Sequence, residues 1–401
     1  MKKTILIIGA GFGGFWSALS AVRLLDQHDR QDISVQVLAP VAELRVRPRF
    51  YEPQVHTMRT SLTQLFEATG VQFIPGLARQ IDVAQHTVTY QDPAGMTATL
   101  GYSALVLAAG SQLNLPDIEG LQAHAFNVDS IEQAERLETH MQRLAALPDT
   151  PARSTVVVAG GGFTGIETAC EMPARLREIL GADCQPRVII IDRGQSVGAS
   201  MGTAIAPVIA EATAELGVEW CLSSSVVAVD EHGVTLADGQ RIDAATVVWT
   251  AGVRASELTA QVPAERDPLG RLHVDANLRV IGSPNVFATG DSAFAACDEL
   301  GNHALMTCQH AIALGRSAGN NAAAQLLGVA PVPYRQSKYV TCLDLGAWGA
   351  VFTEGWDRQV KLVRQEGKAL KTQINTQWIY PPIADRDVAL AAADPLIPVV
   401  A

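Results

Sequence analysis

Apolar residues along this chain fall into short unbroken runs, and two of those runs end in the same way. Residues 5–14 read ILIIGAGFGG and residues 156–165 read VVVAGGGFTG. In each, a β-branched run breaks into glycines and passes into a helix-compatible stretch. Runs that are apolar at consecutive positions predict strands buried on both faces, as in a parallel sheet. The correspondence continues downstream. VQFIPG at 71–76 is echoed by VEWCLS at 218–223, and LVLAAG at 105–110 by VVWTAG at 247–252. Between each later pair lies hairpin chemistry, Asp92-Pro93-Ala94-Gly95 in the first half and Asp238-Gly239 in the second. A repeat this long means two related domains and not a solenoid, whose period is about 20–50 residues.

Each copy reads as strand, glycine turn, helix, strand, small antiparallel insertion and final strand, which predicts a doubly wound α/β domain with a mostly parallel sheet. Segment 114–152 reads as a connector with one helix, from Ser130 to about Leu147, ended by Pro148 and Pro151. Beyond residue 253 come VIGSPNVFATGDSA (280–293) and an Ala-rich stretch, 304–327. The segments YVTCLDLG, WGAVFTEG and QVKLVRQEG then predict a third, largely antiparallel piece. The last twenty residues are rich in Ala, Asp and Pro, with no basic amphipathic pattern.

Composition narrows the function classes. The 401 residues are 48% hydrophobic and 18% charged, with a formal net charge of -11. That suits two or three folded domains and argues against nucleic acid as a partner and against adsorption to an anionic membrane. No apolar run approaches the roughly 20 residues of a spanning helix. Met1-Lys2-Lys3 followed by Thr4–Ala10 mimics a secretory signal, but the run ends in glycines and reads better as a buried first strand. A cytoplasmic location is the expectation, with a peripheral position at the inner face of the membrane as its variant. Six scattered cysteines (170, 184, 221, 297, 308 and 342) form no Cys-x-x-Cys, so neither disulfides nor a metal site is expected.

Gly9, Gly11 and Gly14 form G-x-G-x-x-G directly after the predicted strand Thr4–Ile8, with Gly13 between them, and Gly160, Gly162 and Gly165 repeat it after Thr155–Val158. The first glycine makes the tight turn and the second lets backbone N–H groups approach a pyrophosphate. The third packs helix on strand, and the helix N-terminus offers its unpaired N–H groups to the phosphates. One such turn is also plain structural punctuation. Two, at corresponding places in a duplication, imply two dinucleotides and a redox relay. An acid should end the second strand of each copy to bind a ribose hydroxyl. VIIID supplies Asp192, which favours NADH over NADPH, although Arg193 beside it keeps NADPH open. In the first copy the strand ISVQVL ends in Ala39-Pro40, and Glu43 is the nearest acid.

With FATGDSA (287–293), VWTAGVRAS (248–256) and the paired glycine turns together, the chain resembles the two-dinucleotide-binding flavoprotein superfamily, and within it most the type II NADH dehydrogenases, single-chain NADH:quinone oxidoreductases. The resemblance spans roughly residues 1–380. It implies an α/β fold of two Rossmann-like dinucleotide-binding domains, with 1–113 and 253–328 holding FAD, 114–252 inserted as the NAD(P)H domain, and 329–401 as a small α+β C-terminal region. It further implies that Gly290-Asp291 meet the flavin's ribityl chain, the alternative for Asp291 being an N-cap of the following helix. Ala109-Gly110 and Ala251-Gly252 would run close to the cofactors. Glu167 would face the flavin–nicotinamide junction, the alternative being a solvated first-turn glutamate. In LRVRPRFYEP, Arg45 and Arg47 would neutralise the pyrophosphate and Pro48 would shield the ring; a solvated basic loop is the competing reading.

The implied reaction is hydride transfer from NADH to FAD, then delivery of two electrons to a quinone-like acceptor beside Gln309, the cofactor supplying the chemistry and the protein the geometry. Here the sequence departs from the family. Of an Ala-Gln-x-Ala-x-Gln-Gln-Gly stretch that lines the quinone channel, Gln309 remains while Ala313 and Leu314 replace both later glutamines, and the basic C-terminal anchor helices are missing. A homodimer is compatible with the resemblance. The first helix lacks the cysteine pair of a dithiol reductase. A sulfide:quinone oxidoreductase reading rests on Cys342 with Cys308 as its partner, against their reading as small buried hydrophobes. A redox-responsive binding protein is the remaining alternative.

Overall fold

The computed structural model describes residues 3–399; Met1 and Lys2 of the signal-like start lie outside them. Two parallel sheets carry the molecule. The first has five strands in the order Val286–Ala288, Ala104–Leu107, Lys3–Ile8, Ile33–Ala39, Gln72–Pro75. The second has four, in the order Val218–Cys221, Arg187–Ile191, Thr155–Ala159, Thr246–Trp249. Every pairing within both is parallel. The strands Ala104–Leu107, Thr155–Ala159 and Thr246–Trp249 are buried along their whole length, as consecutive apolar positions demand when helices cover both faces. The α/β fold with two Rossmann-like halves is therefore as the sequence reads.

The duplication extends to detail. Each half inserts a three-stranded antiparallel sheet, Leu77–Asp82, Thr87–Gln91, Thr97–Gly101 in the first and Val226–Asp230, Gly233–Leu236, Arg241–Asp243 in the second. Their last turns fall at Asp92–Gly95 and Asp238–Gly239, the predicted hairpins. The connector helix spans Ile131–Arg143, with the Ser130 hydroxyl capping it through the N–H of Gln133, and a 3-10 turn continues it to Ala146. The chain passes out of the first half along Ser111–Leu113 and back along Val253–Ala255, and these two crossings pair as an antiparallel ribbon. On its return it adds Val286–Ala288 to the first sheet.

The Ala-rich stretch becomes the helix Cys308–Leu327, which lies against the first glycine-turn helix, Phe12–Gln27. Small residues permit the approach. A Cβ on Gly319 would fall 1.9 Å from Ser17 O and one on Gly315 2.6 Å from Gly13 O. The Ser17 hydroxyl sits between Gly13 O (2.6 Å) and Gly315 O (3.0 Å). The C-terminal part is the antiparallel sheet Val340–Asp344, Ala350–Glu354, Gln359–Leu362, with the helix Arg364–Gln373 laid against it. Among the described residues no helix is long and apolar enough to cross a membrane, no group of residues has metal-ligand geometry, and all six cysteines are free.

Gly319→Ala is expected to force these two helices apart at a cost of about 1–3 kcal/mol or more, by overpacking a backbone-to-side-chain contact. Urea unfolding of the variant beside the parent measures it; equal midpoints would mean the helices have room to separate.

Candidate functional site

Each glycine turn is built by the same two contacts. Gly9 N–H donates to Leu38 O at 2.9 Å and Gly160 N–H to Ile191 O at 2.9 Å, tying each turn to the neighbouring strand. Both glycines have positive φ, +106° and +119°, which an L side chain rarely adopts. The third glycines let the helices start at once, since a Cβ on Gly14 or Gly165 would lie 1.9 or 1.8 Å from the carbonyl oxygen of the first. The middle glycines differ. Gly11 and Gly162 cap their helices without any side-chain partner, and a Cβ on either would meet nothing within 4 Å. Open space in front of uncapped helix N-termini is what an approaching pyrophosphate requires.

Around the first turn, Gly13 abuts the TGD segment, its missing Cβ pointing to Thr289 Cγ2 at 3.2 Å and Gly290 N at 3.4 Å. Asp291 lies within a 3-10 turn, Gly290–Ser292, and the next long helix is capped by Thr307 instead. The Asp291 carboxylate accepts from the Ser111 hydroxyl at 2.6 Å, and that hydroxyl accepts from Arg47 Nη1 at 2.8 Å. Burial raises the Asp291 pKa, opposed by the Ser111 hydrogen bond and by the Arg47 charge. Arg47 is also paired with Asp129, whose other oxygen takes the N–H of Leu113. Arg45 pairs with Glu132 at 2.7 Å, and Pro48 sits half-buried in the 3-10 turn Arg47–Arg49. The two arginines are thus paired with carboxylates of segment 114–252, both pairs partly open to solvent. Glu43 lies on a short strand beyond Ala39, 3.9 Å from Arg45 Nε.

At the second turn, the Asp192 carboxylate accepts from Gly161 N–H and Gly194 N–H, each at 2.7 Å, while Arg193 is exposed. Gly110 and Gly252 both take left-handed φ, +68° and +82°, at the two ends of the connecting ribbon, next to Ala109 and Ala251.

Glu167, on the helix Phe163–Leu180, is only 3% exposed and so is no solvated first-turn residue. Its Oε1 accepts from Lys371 Nζ at 2.8 Å and from Asp344 N–H at 3.0 Å. Burial pushes its pKa up to about 7, held from rising further by the Lys371 charge. On Lys371, burial works against the charge, yet Glu167, Cys342 and Asp344 together more than offset it, and its pKa stays above the ordinary lysine value. Beside this pair, Asp344 accepts from Lys368 Nζ at 2.6 Å and from the Tyr51 hydroxyl at 3.2 Å. Gln309 donates to Val340 O at 3.2 Å and accepts from Gln336 Nε2 at 3.1 Å. Burial raises the thiols of Cys308 and Cys342 to about 11 and about 12, the opposite of what a reactive thiolate needs.

Sequence reasoning missed Lys371, Asp344, Tyr51, Ser111 and Asp129. Asp344 alone left a trace, as an acid inside the apolar run TCLDLG; Lys371 sits 204 residues from its partner, with no local period to betray it.

Residues 3–315 match the family described as pyridine nucleotide-disulphide oxidoreductase. The chain is 44% identical to an NADH dehydrogenase-like protein of Mycobacterium tuberculosis, covering 98% of both. It is 31% identical over 324 residues to the type II NADH:quinone oxidoreductase Ndh of the same organism, covering 73% of this chain and 67% of that one. Among solved structures, NDH2 from Plasmodium falciparum in complex with NADH superposes with a TM-score of 0.77 at 16% identity, covering 98% of each chain, a likeness of fold.

Lys371→Met is expected to cost up to about 3–5 kcal/mol above pH 7, where Glu167 is ionised in the parent and its carboxylate would lose its counter-charge, and less at lower pH, where the carboxyl is protonated. Because the folded state keeps on Glu167 a proton that the unfolded chain releases, the stability of the parent should fall as pH rises from the usual carboxylate range through about 7. Glu167→Gln should lose that slope. Denaturant unfolding across this pH window checks both, and identical slopes would exclude Glu167 as the titrating group.

Proposed function

Because the chain belongs to the pyridine nucleotide-disulphide oxidoreductase family and groups with its NADH dehydrogenase-like members, we propose that it is a flavin-dependent NADH oxidoreductase that reduces a quinone-like acceptor. The reading places FAD at the first glycine turn and NADH, with NADPH as the alternative, at the second. One observation carries it: the same open, uncapped cradle occurs twice, at Gly11 and at Gly162.

The residues present fit these groups. Thr289 Oγ1 and Ser292 Oγ are buried without a hydrogen-bond partner beside the first cradle, polar atoms of the kind a bound cofactor satisfies. FAD would be held by Gly9, Gly11, Gly13 and Gly14, by Ala109-Gly110 and by Gly290-Asp291, with Arg45, Arg47 and Pro48 on the loop beside it. NADH would be held by Gly160, Gly162 and Gly165, by Ala251-Gly252, and by Asp192, whose two backbone hydrogen bonds fix its carboxylate for a ribose hydroxyl. On this reading 1–113 with 253–328 form the FAD domain, 114–252 the NADH domain, and 329–401 the C-terminal region. When bound, FAD supplies the chemistry that accepts a hydride from NADH and passes on two electrons.

The chain's own residues supply the rest. Reduction of a quinone consumes protons, and Glu167, lifted by burial to about 7, is poised to hold or release one near neutral pH, with Lys371 Nζ fixing its orientation. Gln309, on the first turn of the helix Cys308–Leu327 and locked to Val340 and Gln336, would line the acceptor's side. A cytoplasmic protein, with contact at the inner membrane face to meet a quinone, fits a chain without a spanning helix among its described residues.

Anaerobic mixing of flavin-loaded protein with NADH should bleach the flavin absorbance, and failure with both NADH and NADPH would end this reading. Asp192→Ala should raise the NADH KM about tenfold or more, as loss of a charge-assisted hydrogen bond does, with flavin content unchanged. An unaltered KM would remove Asp192 from the nucleotide site.

A further inference from the structure

The ribbon that joins the two halves has a second side. Ser111 is bonded to Asp291 and Arg47 at the first cradle. The next residue, Gln112, and its cross-strand partner Arg254 line a separate concavity of about 760 Å³. Leu113, Asn114, Leu115 and Ala255, residues of the turn Ser256–Ala260 and the turn Arg266–Gly270 complete its walls, and no residue of either glycine turn contributes. Nor is it the adenosine end of the first cradle. That end lies past the tip of Ile33–Ala39, on the far side of Lys3–Ile8 from Ala104–Leu107, the strand that leads into the ribbon.

The charges in this concavity are unbalanced. Arg254 and Arg266 both line it, and neither has an ion pair or side-chain hydrogen bond among the described residues, although the chain as a whole is acidic. The nearby Asp267 does not neutralise them, because its carboxylate is taken by Arg271 at 2.8 Å. Glu257 is the remaining acid of the lining, so with Asp267 taken up by Arg271 two exposed arginines face one exposed carboxylate. Two planar guanidinium groups, with the Asn114 amide and the Ser256 hydroxyl between the same walls, suit bidentate recognition of an oxyanion. The volume falls in the range of small-molecule sites.

We propose that this concavity is a binding site for a small metabolite carrying phosphate or carboxylate groups; it shares no residue with the segments assigned to either dinucleotide, although Ser256 N–H donates to Gly110 O and Asn114 N–H to Gly252 O, so that it adjoins both. An occupant held by Arg254 would brace the ribbon whose other side carries Ser111, and would thereby couple its own binding to the first cradle.

Isothermal titration of flavin-loaded protein in the presence of NAD+ tests this, with inorganic pyrophosphate and citrate as the probes. One of them should bind saturably at one equivalent, and its preference over the other names the acid group. In the Arg254→Gln, Arg266→Gln double variant, binding should weaken about tenfold or more while flavin content stays the same. If the double variant does not fold, Arg266→Gln alone, on an exposed turn, gives the same reading. No saturable binding of either probe, or binding unchanged in the variants, would overturn the proposal.

Discussion

Everything in this fold depends on two places where a helix begins against the strand that precedes it, with no room for a side chain between them. The third glycine of each turn presses on the carbonyl of the first, at a separation no Cβ could enter. That contact aims the helix N-terminus along the end of the sheet instead of away from it. The amides of the first helical turn then face open space, and an anion is the natural partner for them. Because the duplicated halves obey the same constraint, the molecule presents two such faces, and the ribbon Ser111–Leu113 with Val253–Ala255 sets one relative to the other.

The same economy of side chains recurs where the helix Cys308–Leu327 meets Phe12–Gln27. Gly315 and Gly319 bring the backbones together, and the Ser17 hydroxyl meets carbonyls of both helices. As a result Cys308 and Gln309, at the start of the later helix, and the TGD segment packed against both helices are placed by the first glycine-turn helix itself. A site assembled from residues more than 290 positions apart thus inherits its precision from rigid backbone contacts and not from flexible loops.

What could be read in the sequence follows from how local each signal is. Strands such as ILII and VVVA, the hairpin turns at Asp92–Gly95 and Asp238–Gly239, and the Ser130 cap are written in consecutive residues, and the fold they predict is the fold observed. The helix Arg364–Gln373 was hidden because QVKLVRQEG mixes a strand with a helix start. The polar cluster was less legible still. Glu167 stood out by its place after a glycine turn, but Lys371 looks like any lysine on a polar helix. Only three-dimensional packing makes it 6% exposed and brings it to Glu167. Arg45 and Arg47 read as free cations in sequence, because their carboxylate partners, Glu132 and Asp129, lie on the connector.

That cluster also joins the C-terminal region to the second half. A buried Glu–Lys pair seldom repays its desolvation, and an apolar pair of similar size would hold the C-terminal helix to Phe163–Leu180 at least as well. The pair is hydrogen-bonded to backbone at Asp344 N–H and Cys342 O, and flanked by a second one, Asp344 with Lys368. Such an arrangement fixes position and protonation more than it adds stability. It draws one member from the helix of the second glycine turn, one from the C-terminal strand and two from the C-terminal helix, so the C-terminal region is tied to the second half through this cluster. A chain cut before residue 329 would keep both glycine turns and lose the environment that sets Glu167 near neutrality. On the function proposed, holding two dinucleotides and managing a proton between them are tasks of different parts of the chain.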